Sequence, residues 1–396
     1  MNGLKTTWDT TNLTYIMYSL MAFTFGGGLT KEIFLDAANV GELEKKYLCE
    51  CIDSTYVSSV GENIGKFENK FASYLGAKRA VSTQSGTSAL HLALYELGIG
   101  PGDEVIVPVI TFIATVNPIK YVGATPVFVD VDPDTWNIDP DEVEKHITKR
   151  TKAIIPVHLY GNPCDMDKIM SISEKYNIPV IEDATESLGA TYKGKFTGTF
   201  GIMNAFSFNG NKIITTGGGG MIITDDEKKA DHLKFLVNQA RDVSRGYYHT
   251  EVGFNYRMTN LEASLGLAQF ERLPEFLNKK RIFAKIYKEG FKGNDKITFQ
   301  RSYEGTESSY WLSSIKIESS KSIPQIQEEL KEKGIPTRRI FVPIVEFPPY
   351  KEYKKEKYRN AYEIYEKGLN LPSSTVNDEE QIEYVVEVLN SAIFER

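Results

Sequence analysis

The sequence predicts an α/β protein: a large, doubly wound and mostly parallel sheet domain, followed by a smaller α+β C-terminal domain. Three observations carry this. From about Lys78 onward, short apolar runs alternate with helix-like stretches, the order that right-handed crossovers between parallel strands produce. Those runs are continuously apolar rather than alternating, as strands covered on both faces are. After about Pro274 the pattern changes to charge-laced amphipathic helices around a strand candidate. The expected boundaries are 1–35 for an N-terminal leader, 36–273 for the large domain with its leading helices, and 274–396 for the small domain.

Taken in order, the leader contains "LTYIMYSLMAFTFGGG", whose apolar part is too short to cross a bilayer. It lacks a basic start and a small-residue cleavage site, so it reads as an apolar segment packed on its own subunit or a partner rather than an export signal. "VGELEKKYLCECIDS" and "GENIGKFENKFASYLG" are helical and precede the sheet. "DEVIVPVI", "TPVFVDVD", "KAIIPVHLYG", "IPVIEDAT", "NAFSF" and "GGMIITDD" read as strands, with "GTSALHLALYELG" and "DMDKIMSISEKYN" as helices between them. "GDE", "DPDTWNIDPDE" and "GNP" supply turns and helix starts. In the C-terminal part, "IPQIQEELKEKGIPTRRIF" and "NDEEQIEYVVEVL" are amphipathic helices and "SSYWLSSIKI" a strand.

The chain of 396 residues is long enough for a large core. A net charge of −7 without a long basic run gives no reason to bind nucleic acid. Cys49, Cys51 and Cys164 form no metal-ligand pattern with the five histidines, so no metal site is expected. Their odd, sparse count also argues against a disulfide framework and fits a reducing cytoplasm.

Ligands of an open α/β sheet bind beyond the carboxyl ends of its strands, and three features fall at such ends. Ser85-Gly86-Thr87 opens an apolar helix, where free N–H groups and the helix dipole suit an anion; read alone, an ordinary serine cap is the better reading, because such caps are common. "IPVIEDATESLG" ends a strand on Glu182-Asp183, so one carboxylate should emerge at the cleft and needs a cationic or hydrogen-bonding partner. Asp183 as a helix cap is the plain alternative. Strand "NAFSF" delivers Ser207 and then Lys212, followed by "TTGGGG". An amine is nucleophilic only once deprotonated, which desolvation or a nearby cation arranges; the plain alternative is a solvated lysine before a flexible turn. The Walker A pattern does not occur. Together, an amine for an aldehyde, an acid for a pyridinium and a cup for a phosphate match what pyridoxal 5′-phosphate requires.

The ordered motifs "SGTSAL", "VPVITFIATVNPI", "PVHLYGNPCDMD", "IEDATESLGA", "FSFNGNK…TTGGGGMI" and "VGFNYRMTNLEASLGLAQ" resemble the DegT/StrS-type sugar aminotransferases, over roughly residue 35 to the end. The resemblance implies the aspartate aminotransferase-like fold of type I pyridoxal phosphate enzymes. It makes Lys212 the lysine bonded to the cofactor and the base of the proton shift. Asp183 matches the acid facing the pyridine nitrogen, Gly86, Thr87 and Ser207 the phosphate site, and Phe112 the aromatic stacked on the ring. Asn255 matches a residue reaching the phosphate from a neighbouring subunit, which implies a homodimer with shared sites. Glu186 stands where many relatives carry glutamine near the cofactor's phenolic oxygen, so its contact and charge are open.

The implied reaction moves an amino group from L-glutamate to a nucleotide-linked 4-keto-6-deoxy sugar in two half-reactions, for surface-glycan synthesis. "CIDSTYVSSVG" and the overall wording look closest to the subgroup acting on UDP-linked 2-acetamido-4-keto-2,6-dideoxyhexoses. The alternatives are 3-amination, a related sugar dehydratase (against which Lys212 argues, since histidine replaces the lysine there) and a non-catalytic protein of the same fold. His91 and His158 read as structural, and His249 receives no role. Arg338 and Arg339 meet either a diphosphate or donor carboxylate, or water.

Overall fold

The computed structural model describes residues 32–354 and 357–394; the apolar leader read at residues 13–28 lies outside them. Strands Thr125–Val129, Glu104–Pro108 and Thr151–Ile154 pair in parallel, with Glu104–Pro108 in the middle. The chain at 178–183 continues this array through parallel bridges Ile154–Val180 and Val157–Asp183, and Asp183–Ala205 carries it on to strand Asn204–Ser207. Gly220–Thr224 then pairs antiparallel with Asn204–Ser207 and with Arg79–Thr83. Among the described strands of this array, Gly220–Thr224 alone runs against its neighbours, so the sheet is mostly parallel, as the sequence predicts.

The exception has a local cause. No helix lies between Ser207 and Gly220, and a parallel return needs a crossover of a dozen or more residues, usually a helix. The chain comes back directly, and Lys212 sits in that return. Strand Arg79–Thr83, "RAVST", belongs to none of the apolar runs picked out in the sequence because its ends are polar.

Helix Glu62–Leu75 shows how the core aligns the site. Phe67, Phe71 and Leu75 recur at a helical interval on one buried face. Phe71 meets Phe206 and Phe208 edge-on at 5.1 and 5.4 Å between ring centroids. Burying each ring stabilises by about 1.5–3 kcal/mol, and such ring pairs add about 0.5–1.5 kcal/mol. Because strand side chains alternate, seating Phe206 and Phe208 on this helix turns Ser207 the other way, towards the cavity described below.

In the C-terminal part, Ile297–Phe299, Ser313–Ile317, Gly368–Leu371 and Arg338–Arg339 form an antiparallel sheet in that order. Helices Leu273–Gly290, Ile323–Glu332 and Glu379–Phe394 enclose with it a second apolar cluster that includes Phe283, Tyr287, Ile315, Leu330 and Leu389. The amphipathic "IPQIQEELKE" and "EEQIEYVVEVL" patterns thus lie in helices as expected, whereas "TRRIF" supplies a short strand.

Candidate active site

At the carboxyl ends of the parallel strands lies a cavity of about 480 Å³, and Gly86, Thr87, Phe112, Asp183, Glu186, Ser207 and Lys212 all line it. A larger, more open depression of about 920 Å³ beside helices Glu42–Asp53 and Glu62–Leu75 holds none of these residues.

The first turn of helix Gly86–Glu96 forms one end. Ser85 caps it, its Oγ accepting the Ser88 N–H at 3.0 Å. The N–H groups of Gly86 and Thr87 have no acceptor within a helix. A Cβ on Gly86 would lie 2.8 Å from Thr185 Cγ2 and 3.0 Å from Ser207 Cβ, so the glycine lets these three elements close on one another. The glycine run packs here too. A Cβ on Gly220 would sit 2.4 Å from the Ser85 carbonyl carbon, and the Gly219 N–H donates to Gln84 O at 2.7 Å. Gly217 and Gly219 take positive φ (82° and 99°), which lets the chain turn tightly after Lys212, and Gly219 and Gly220 also let the returning chain press against the helix start.

Asp183 forms the other end. Its Oδ2 accepts the Thr115 hydroxyl at 2.6 Å and its Oδ1 the Thr185 N–H at 3.1 Å. No helix begins after it, which removes the helix-cap alternative. Its neighbour Glu182 points away and is fully buried. Its carboxylate accepts the N–H groups of Gly198, Phe200 and Gly201 at 2.6–2.8 Å and meets His158 Nε2 at 2.9 Å. His158 Nδ1 accepts the Cys164 N–H at 3.1 Å, so the Nε2 proton faces the carboxylate. That histidine is structural. His91, near Tyr256 Oη at 3.2 Å, is also outside the cavity, and the exposed His249 bonds to Gln239 O.

Lys212 projects between these ends with its side chain only 13% exposed. Nζ lies 3.7 Å from the centroid of the Trp311 ring and 3.9 Å from Glu186 Oε1. Burial pushes the amine below its ordinary pKa, against the opposing pull of Glu186, Asp183 and Asp36. Burial likewise raises the Glu186 carboxyl to about 7, with Lys212 and the Tyr160 N–H opposing. The turn bearing Lys212 is pinned from outside: Trp311 Nε1 donates to Asn211 O at 2.6 Å, and Asn211 Nδ2 to Asp36 Oδ2 at 3.0 Å. Arg338 clasps the same Asp36 carboxylate at 2.7 and 3.2 Å and lines the cavity. Arg339 instead binds Tyr365 by its hydroxyl and carbonyl. Phe112 is 54% exposed, its ring 5.7 Å from Phe341. Asn255 is exposed and does not line this cavity.

Sequence reasoning missed Thr115, Trp311 and Phe341. Thr115 follows Phe112 within a quoted motif and carried a signal; Trp311 and Phe341 arrive from the C-terminal part, where nothing marked them.

The residues fit pyridoxal phosphate. The cradle that a Gly86 Cβ would fill lies at a helix start suited to a phosphate, a buried carboxylate suits a pyridinium, and a desolvated amine suits an aldehyde. Among the described residues no cluster of His, Cys, Asp or Glu could hold a metal ion, and no helix is long and apolar enough to cross a membrane.

Comparison with known proteins agrees. The family model for the DegT/DnrJ/EryC1/StrS aminotransferase family matches residues 38–390. A GDP-perosamine synthase of Escherichia coli O157:H7 is 45% identical over 347 residues, covering 88% of this chain and 94% of its own. A dTDP-3-amino-3,6-dideoxy-alpha-D-galactopyranose transaminase of Aneurinibacillus thermoaerophilus is 36% identical, over 90% and 98% of the two chains. The solved PLP form of the putative sugar aminotransferase Spr1654 from Streptococcus pneumoniae superposes with a TM-score of 0.87 at 30% identity, over 91% and 98%. With its motifs, its fold and matches along most of its length in accord, the chain belongs to the DegT/DnrJ/EryC1/StrS aminotransferase family and is a pyridoxal phosphate-dependent aminotransferase.

Proposed function

We propose that this sugar-nucleotide aminotransferase moves the amino group of L-glutamate to C4 of a nucleotide-linked 4-keto-6-deoxy sugar, giving a 4-amino sugar for surface-glycan synthesis. The observation that carries the reading is the convergence of a desolvated lysine, a buried carboxylate and a free helix start on one cavity. The relative named GDP-perosamine synthase supports a GDP-linked acceptor. The UDP-linked 2-acetamido sugar suggested by the sequence wording is the second to try. The relative named as a 3-amino-sugar transaminase keeps C3 amination as the alternative.

In this reading the N–H groups of Gly86 and Thr87 and the Ser207 hydroxyl hold the cofactor's phosphate. Asp183 faces the ring nitrogen, Phe112 covers a ring face, Glu186 adjoins the phenolic oxygen and Lys212 is the covalent anchor. When bound, the cofactor supplies an electron sink for the carbanion beside the transferred nitrogen. The protein supplies position and protons. Thr115 and Thr185 hold the Asp183 carboxylate in one orientation. The Lys212 Nζ, kept short of water, moves the proton between carbon positions once it is free, a role worth about 10²–10⁴-fold in rate. Trp311 and Asn211 fix the turn that carries it. Asn255, exposed on its own chain, reaches the site of a second copy.

The test is spectral and then chemical. The yellow protein should bleach on adding L-glutamate and regain colour with an accepted keto sugar, and NMR of the product should show nitrogen at C4. Cofactor binding without bleaching would favour the non-catalytic alternative.

A further inference from the structure

Glu186 is 3% exposed, and its two carboxyl oxygens are treated differently. Oε2 accepts the Tyr160 N–H at 2.8 Å. Tyr160 presents that N–H from the left-handed region (φ 56°, ψ 18°), uncommon for an aromatic residue. Its ring lies against Trp311 and Phe341, and its hydroxyl accepts the Phe341 N–H at 3.0 Å. A strained residue locked this firmly points to a purpose for what it aims at. Oε1, by contrast, accepts no hydrogen bond from the described residues, and the Lys212 Nζ stands 3.9 Å away. That Nζ donates no hydrogen bond to the described residues either; its closest company is the Trp311 ring.

We propose that Glu186 is the proton partner of Lys212: whenever Lys212 is a free amine, the two hold one proton between them, settling as a neutral amine and a neutral carboxylic acid. In the transfer, made when a lysine rotamer change or one bridging water closes the 3.9 Å gap, the Nζ–H bond of the ammonium breaks and an Oε1–H bond forms, leaving –NH₂ and –COOH. The reverse transfer returns the proton when Lys212 must act as an acid. The inference deepens the aminotransferase reading and rests on it for its purpose, not for its test.

Two buried charges held apart, without a direct hydrogen bond, lose hydration that their attraction does not restore; passing the proton across removes both. The other charged and titratable groups around the pair are Asp183 at its strand end, Asp36 from the N-terminal segment, Arg338 from the short strand Arg338–Arg339, and the Tyr160 phenol. Arg338 and Asp36 are already engaged with each other, so they largely cancel at the pair. The directions in which burial pushes the two groups, Glu186 up and Lys212 down, agree with the neutral form.

The full-length chain freed of cofactor tests this by difference infrared spectroscopy against Glu186→Gln, which keeps an acceptor for the Tyr160 N–H. The expected result is a protonated-carboxyl C=O band near neutral pH that shifts in D₂O, fades as the pH rises and is missing from the variant. Labelling glutamate side-chain carboxyls with ¹³C must move the same band in the parent chain, which makes it a glutamate's and not that of Asp183 or Asp36. Absence of the band, or its failure to move with the label, overturns the proposal. A second measurement follows trace acetylation of Lys212 by peptide mass spectrometry near neutral pH. A lysine that is already neutral should react less than about threefold faster in Glu186→Gln. A larger increase, up to the roughly tenfold expected per pKa unit when an ionised carboxylate is removed, overturns the pairing. Either failure leaves glutamate-dependent bleaching untouched, and a failure to bleach leaves the infrared result standing.

Discussion

Lys212 ends against Trp311 and near Glu186 and Asp183, residues far from it in sequence. Asp183, at a strand end, likewise owes its orientation to Thr115 on helix Ile113–Tyr121. Thr115→Val keeps the shape but removes a hydrogen bond to a buried carboxylate, worth about 1.5–3 kcal/mol of stability, so the melting temperature should fall modestly and kcat by about tenfold or more as Asp183 loses its orientation. Steady-state kinetics with L-glutamate checks this, and an unchanged kcat contradicts the role given to Asp183. Glu186 makes a pH prediction. Its folded pKa, about 7, lies above its ordinary 4.5, so its stabilising contribution is full below the ordinary value and is lost as pH rises through about 7. Unfolding midpoints measured from about pH 5 to 8 should therefore decline more steeply in the parent than in Glu186→Gln; equal slopes contradict it. At this scale the residues Lys212, Asp183, Gly86 and Ser207 were legible, because each stands beside a strand end or helix start that local pattern marks. Trp311 and Phe341 were not, because only tertiary packing brings them to the cavity.

The element that sets the site is the return from Ser207 to Gly220. Alternating strand and helix signals foretell parallel neighbours, and the absence of a helix between "NAFSF" and "GGMIITDD" is the sequence's sign that this strand runs back. Strand "RAVST" is illegible for a different reason, since a short run with polar ends carries no period. What Gly220 does could be learned only from the approach of two backbones. Gly220→Ala places a methyl 2.4–2.6 Å from the Ser85 and Gly86 backbone, where nothing flexible can yield. Overpacking of this kind costs about 1–3 kcal/mol or more. The expected outcome is a lower melting temperature together with weaker cofactor retention on dialysis. A variant with the parent's melting curve and colour would show that the helix start tolerates displacement.

Over the whole molecule, every expected cofactor residue except Asn255 lies around the cavity of a single chain. The loop leading to Asn255 exposes Val243, Tyr247 and Val252, the last two 86% and 72% exposed, which suits a segment that meets a second copy. Lys212→Ala and Asn255→Ala chains should each be inactive alone. Mixed equally and allowed to exchange, they should recover about a quarter of the parent activity, because half of random dimers are mixed and each rebuilds one of its two sites. No recovery despite exchange would confine the site to one chain. The fold class was legible from periodicity; the proposed sharing of the site between two copies rests on the resemblance alone, because such sharing leaves no periodic trace. The most direct measurement of the central claim is borohydride reduction of the yellow full-length protein, followed by peptide mapping. The account predicts the reduced cofactor's mass on the Lys212 peptide and its loss from Lys212→Ala. Label on another side chain, or on none, contradicts it.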